Sequence, residues 1–182
     1  MKKLTLQLCL AAIAFLSAFR IQAQSPEAIK AQMVKDWERA KEYTKEYLNT
    51  MPADKYSYKA HDSVRSFAQQ MLHLAAANLF LMSNASNEKP PAWLSFTLEQ
   101  QAGAQKKDSV DYYVMASYDY AINTVKNSNI SQWGEVKKIF GRFDETKFAI
   151  MNKAFEHQTH HRGQTTIYIR MLGIKPPQEK LF

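Results

Sequence analysis

The stretch from Asp144 to Leu172, DETKFAIMNKAFEHQTHHRGQTTIYIRML, carries the strongest helical signal in the chain. Asp144 or Thr146 can start a helix there, Gly173 offers a left-handed C-cap, and Pro176-Pro177 stops any continuation. At about 100° per residue, His157 and His161 lie within about 40° of each other, one turn apart on the same face. Two neutral imidazoles at that spacing can share one divalent ion at about 2.0–2.1 Å. His160 sits about 60° to the other side of His157 and would join them only with a different helix rotation.

Three more helices are expected upstream. The first covers about 26–49, with Ser25 as N-cap and Pro26 at the first helical position, where a missing N–H costs nothing. Ile29, Met33, Trp37, Ala40, Tyr43 and Tyr47 recur along it at helical spacing, and Met51-Pro52 ends it. The second covers about 63–84 and carries Val64, Phe67, Met71, Leu74, Leu79 and Phe80. A loop closed by Pro90-Pro91 follows, and Trp93-Leu94-Ser95-Phe96 is placed across a bundle end. The third helix covers about 108–127, with Asp108 and Asp111 in a capping arrangement that suits the positive end of the helix dipole. Residues 128–143 are expected to be a connection. Four helices of similar length around one core give an all-α four-helix bundle. The 46% apolar content supports such a core, and 5 Gly and 6 Pro supply little turn chemistry for a many-stranded sheet.

The N-terminal segment has the layout of a cleaved secretory signal. Met1-Lys2-Lys3 is basic, Leu4 to Ser17 is mostly apolar, and Ile21-Gln22-Ala23 ends in a small residue. The expected domain plan is therefore a signal peptide over 1–23 and a single bundle domain over 24–182, exported to a periplasmic or extracellular location. A retained N-terminal anchor is the other reading, although the apolar run is short for a spanning helix. Cleavage would remove Lys2, Lys3 and Arg20, taking the net charge from +7 to +4, together with the one cysteine, Cys9. The mature chain would then have no disulfide, no thiolate ligand and no stable membrane span. Its modest charge, unclustered, argues against a nucleic-acid partner.

A two-histidine site needs a third ligand from another helix. His73 is the candidate, because it sits inside the apolar run Met71-Leu72-His73-Leu74-Ala75. Ala76 and Ala77 one turn on, with Ser66, Gln69 and Gln70 before it, would leave space and hydrogen-bond partners around an ion. His61 falls in a polar connection and is expected to be exposed. Gln164 and Tyr168 continue the His157/His161 line and are candidates to orient a ligand or bind substrate, or to serve as interhelical packing.

These residues resemble a known family. Met51-Pro52-Ala53-Asp54-Lys55-Tyr56, then Ser63 to His73, is similar to the approach to the second helix of DinB/YfiT-like proteins. His157-Gln158-Thr159-His160-His161-Arg162-Gly163-Gln164, followed by Tyr168 to Pro177, is similar to the last-helix signature of that family. The resemblance spans about 26–177. It implies an up-down-down-up bundle, commonly a homodimer, with a divalent metal (Zn, Ni, Mn or Fe) held by His73, His157 and His161. It also implies a metal-dependent hydrolase or thiol-dependent transferase acting on a small molecule. Many members carry an acidic residue in the turn after the first histidine, where this chain has Ala76, Ala77 and Asn78. A carboxylate near the metal is thus not expected from that turn.

Two functions remain open at this level. One is a metalloenzyme whose three ligands leave coordination positions for water or substrate; the other is a non-catalytic protein that binds a metal or small ligand. Other classes fit poorly. Covalent haem needs Cys-x-x-Cys-His, a di-iron carboxylate bundle needs Glu-x-x-His on two helices, and a zinc peptidase of the His-Glu-x-x-His type would have Glu where Gln158 stands.

Overall fold

Ser25 opens the first helix as its side chain predicts. Its Oγ accepts the Ala28 N–H at 3.1 Å, and α1 runs Pro26–Thr50 until Met51 turns extended before Pro52. The computed structural model describes residues 24–86, 88–95 and 97–182. The expected signal peptide and Phe96 lie outside the described residues.

The second helix, α2, is Phe67–Ser86 and starts later than its apolar pattern suggests. The reason is a reciprocal cap. Ser66 Oγ accepts the Gln69 N–H at 3.2 Å, while Gln69 Oε1 accepts the Ser66 N–H at 2.9 Å. Ser66 therefore ends the preceding loop and Gln69 lies in the first turn, and the atoms that make this cap are spent on the backbone instead of surrounding an ion.

The third helix, α3, is Lys107–Asn127 with Lys106 at the N-cap and no side-chain cap. The expected capping by Asp108 and Asp111 is not formed, because the helix begins before Asp108 and carries it inside the first turn. Asp111 instead accepts from Lys107 Nζ at 2.7 Å and from the Tyr56 hydroxyl at 3.0 Å.

The connection after α3 holds the main departure from an all-α expectation. Strands β1, Val136–Ile139, and β2, Phe143–Thr146, form an antiparallel hairpin with Val136 opposite Thr146 and Ile139 opposite Phe143. Asp144 consequently belongs to β2, where it pairs with Lys138 at 2.7 Å. The N-cap of the last helix is Thr146, whose hydroxyl accepts the Ala149 N–H at 3.1 Å. This helix, α4, is Lys147–Met171. Gly173, at φ +74°, closes it with Ile174 N–H donating to the Ile169 carbonyl and Gly173 N–H to that of Arg170.

The architecture is thus four helices with one short hairpin. α2 packs against α4 and α3, and α1 packs against the same two helices. Trp37 from α1 meets Tyr118 of α3 and Phe155 of α4 edge-on, with centroids 5.8 and 5.3 Å apart. Phe67, Met71, Leu74, Leu79 and Ile150 complete a sealed core. One polar thread crosses it: the Tyr118 hydroxyl donates to Gln158 Oε1 at 2.7 Å and lies 2.7 Å from the Thr44 hydroxyl. Among the described residues no helix is long and apolar enough to cross a membrane.

Candidate metal centre

α2 and α4 are the most extensively packed helix pair, and they bring His73 against His157 and His161. One nitrogen from each of the three rings lies within 4.8 Å of the others. Ring centroids are 4.3 Å apart for His157–His161, 4.6 Å for His73–His161 and 5.3 Å for His73–His157. His157 Nε2 and His161 Nε2 face each other at 3.1 Å. Ligands at about 2.05 Å from one ion would stand about 2.9 Å apart at a right angle and about 3.3 Å apart in a tetrahedron, so the observed spacing falls inside that range.

The charge state also suits a cation. Burial, then the charges of His73, His160 and Arg65, holds His157 down to about 4; burial and the neighbouring histidines hold His161 down to about 3. His73 is lowered as well, by burial and by Arg65, against an opposing pull from Glu99. All three are neutral imidazoles at neutral pH, with lone pairs available. Two facing neutral nitrogens can share one proton or one cation. The residues present fit a divalent ion.

His73 has a carboxylate partner. Its Nδ1 lies 3.1 Å from Glu99 Oε2 and 3.3 Å from Arg65 Nη2. One nitrogen cannot donate to the carboxylate and accept from the guanidinium together. We assign the proton to Nδ1, since Glu99 is closer and Arg65 is already committed to it through Nε at 2.9 Å and Nη2 at 3.1 Å. A proton held there leaves Nε2 as the free lone pair, the arrangement that fixes a ligating histidine's tautomer. Glu99 arrives from the 3-10 turn Leu98–Gln100, pinned because Leu98 is buried in the core and Gln105 Nε2 donates to the Glu99 carbonyl at 2.9 Å. The turn after His73 does lack an acid, as the sequence says; the carboxylate comes from another element.

The remaining candidates fall elsewhere. His160 is exposed and receives the Gln164 amide at 3.0 Å; His61 is exposed and bonded to Ser63. Gln164 Oε1 accepts from Gln70 Nε2, so its polar atoms tie α4 to α2 and to His160 instead of reaching the three-histidine cluster. The Tyr168 hydroxyl donates to the Arg65 carbonyl at 2.7 Å and bears on the site only through Arg65. His157 Nδ1 and His161 Nδ1 are buried with no hydrogen-bond partner among the described residues, so no such anchor holds their rings.

Through His73 and His157 the cluster opens on a cavity of about 350 Å³ whose walls include Ala76, Ala77, Phe80, Leu81 and Phe140, with Arg65 and Glu99 at its polar side. Phe140 comes from the hairpin tip and stacks on Phe80, centroids 5.0 Å apart at 26°. It has φ +52° and Gly141 has φ +71°, while Arg142 N–H donates to the Ile139 carbonyl at 3.1 Å. Two successive positive φ values inside that bond describe a turn of the type I′ kind.

A helical fold with three histidines converging from two helices defines a class of bundles with a cluster able to hold a metal ion. The chain belongs to the DinB family, whose profile matches residues 23–181. Two solved structures share its fold. A DinB-like protein from Bacillus cereus superposes with TM-score 0.64 at 15% identity, covering 81% of this chain and 95% of that one. A DinB-like protein from Bacillus subtilis, YjoA, gives TM-score 0.63 at 19% identity, covering 81% and 96%. No curated protein sequence matches the chain.

Glu99→Gln tests the assignment of the proton. The amide keeps the size but weakens the acceptor for His73 Nδ1–H, and affinity for Zn or Ni is expected to fall about 10–100-fold. Competition titration against a chelator dye reads this. Unchanged affinity would show that Glu99 does not orient His73.

Proposed function

We propose that the protein is a divalent-metal-dependent enzyme of the hydrolase or thiol-dependent transferase class, acting on a small, largely apolar substrate. The observation that carries this reading is the three-histidine cluster opening directly on an apolar cavity. His73, His157 and His161 would hold the ion, one of Zn, Ni, Mn and Fe. The ion would supply Lewis acidity, lowering the pKa of a water or thiol brought to its free positions. Glu99 keeps the proton on His73 Nδ1. Ala76, Ala77, Phe80, Leu81 and Phe140 exclude water around the substrate's apolar body, and Arg65 presents positive charge at the edge. We further propose the up-down-down-up helix order, a homodimer, one bundle domain over 24–182, and export directed by residues 1–23.

A second reading, a non-catalytic metal or small-ligand binder, is favoured by one feature. Among the described residues the only carboxylate lining the cavity, Glu99, is already occupied by Arg65 and His73, so none of them places a free carboxylate base beside the cluster. Turnover decides between the two. Protein purified without a His-tag, stripped by chelator and reloaded with each metal in turn, is assayed against activated esters and amides and for thiol conjugation to electrophiles. Turnover lost on stripping and restored by one metal supports the enzyme. Stoichiometric metal without turnover on any substrate supports the binder.

A further inference from the structure

A different face of α4 lines a second cleft, of about 500 Å³ and polar, between α1, α4 and the C-terminal segment. None of the three histidines lines it. Arg162 does, and the residue as a whole is 7% exposed. Nη1 donates to Gln158 Oε1 at 3.0 Å, and to Thr44 Oγ1 and the Ala40 carbonyl at 3.4 Å. The Tyr43 ring lies 4.6 Å beneath the guanidinium. Every one of these partners is neutral. The Tyr118 hydroxyl is a further neutral partner, Nε and Nη2 are not sealed from solvent, and Arg162 forms no ion pair among the described residues. A buried guanidinium without a counter-charge is costly, and its second edge is the fork that matches a carboxylate or phosphate.

The surroundings supply more of the same chemistry. Arg170 and Lys175 line the cleft, and neither forms an ion pair among the described residues, against one acid there, Glu179. The Tyr47 hydroxyl lies 2.8 Å from Thr166 Oγ1 and 3.4 Å from the Tyr43 hydroxyl, making a row of potential donors. The far wall is held in place. Arg39 Nη1 donates to the Lys180 carbonyl at 2.6 Å, and Lys180 pairs with Glu46. Three cations against one acid exclude a metal ion as the occupant, and the volume suits a metabolite-sized molecule.

We propose that this cleft binds a small organic anion through a carboxylate or phosphate group, gripped by the guanidinium of Arg162 with Arg170, Lys175 and the Tyr43 and Tyr47 hydroxyls. The site is independent of the metal centre. Its test uses metal-free protein titrated with inorganic phosphate and with succinate at constant ionic strength. Calorimetry measures affinity, and NMR of the arginine Nε–H signals reports the location. Saturable binding near or below about 1 mM is expected for at least one of the two, and which one binds distinguishes phosphate from carboxylate ligands. Arg170→Ala combined with Lys175→Ala, both exposed positions, should weaken binding at least tenfold, with the exposed control Lys89→Ala unchanged. Arg162→Lys, where circular dichroism shows it folded, should do the same because it keeps the charge but loses the fork. The proposal is overturned if neither anion saturates below about 10 mM, or if the double variant binds as tightly as wild type.

Discussion

His161→Ala is expected to take bound metal from near one ion per chain to below about a tenth, a loss of at least about 100-fold in affinity, or about 2.7 kcal/mol. His161 sits at the geometric centre of the cluster. Its ring is the nearest neighbour of both His73 and His157, and it is the most buried of the three. Removing it leaves two rings with centroids 5.3 Å apart and one ligand fewer. The same variant separates binding from folding. Metal at about 100 times its Kd should stabilise the wild type by about 2.7 kcal/mol and leave the variant's melting temperature unmoved. Elemental analysis and thermal scans with and without metal read both effects. Full metal content in the folded variant would contradict the assignment of His161 as a ligand.

Acid is the second large lever, and it acts on the metal-free protein. In the unfolded chain each histidine titrates near 6.5, whereas His157 and His161 are held at about 4 and about 3 in the fold. Above pH 7 both states are neutral and contribute nothing. As pH falls from about 6.5 toward 4 the unfolded chain takes up two protons that the folded chain refuses, so stability drops through that window and levels off below about pH 3. Each unit of displacement is worth about 1.4 kcal/mol. Discounted for partial exposure and for coupling within the cluster, the loss by about pH 4.5 is about 3 kcal/mol, or about 10 °C in melting temperature. Carboxylates titrate in the lower part of this range too, so the measurement is a difference. The double variant His157→Gln, His161→Gln should lose about 10 °C less than wild type between pH 7 and about pH 4.5. Parallel curves for the two proteins would mean that the histidines are not desolvated as described.

Much of this was legible in the residues. Ser25-Pro26, Thr146 and Gly173 mark helix ends through local chemistry that tertiary structure had no reason to override, and His157 with His161 follows from helical periodicity alone. Ser66-x-x-Gln69 is a capping signature of the same kind, but the apolar Val64 before it draws the helix start too early. The hairpin was hidden for another reason. Strands of four residues contain too few side-chain alternations to separate Val136–Ile139 and Phe143–Thr146 from a loop. Glu99 was unreadable as a partner of His73, because its position comes from the burial of Leu98 and follows no spacing rule. Arg162 illustrates the same limit: its place in the signature is evident, but the neutrality of its partners is a property of the packed core.

The turn at Phe140 has a consequence for how such a protein can change. A bulky side chain in the left-handed region costs about 1–2 kcal/mol, and asparagine would sit there more comfortably. The aromatic ring is tolerated where it stacks on Phe80 and walls the cavity beside the histidines. Selection for thermal robustness alone would therefore discard it, and the tightness of the cavity with it. Drift at this one position can trade the shape of the cavity for stability, which makes the hairpin tip a place where chains on the same scaffold can diverge in the cavity they present.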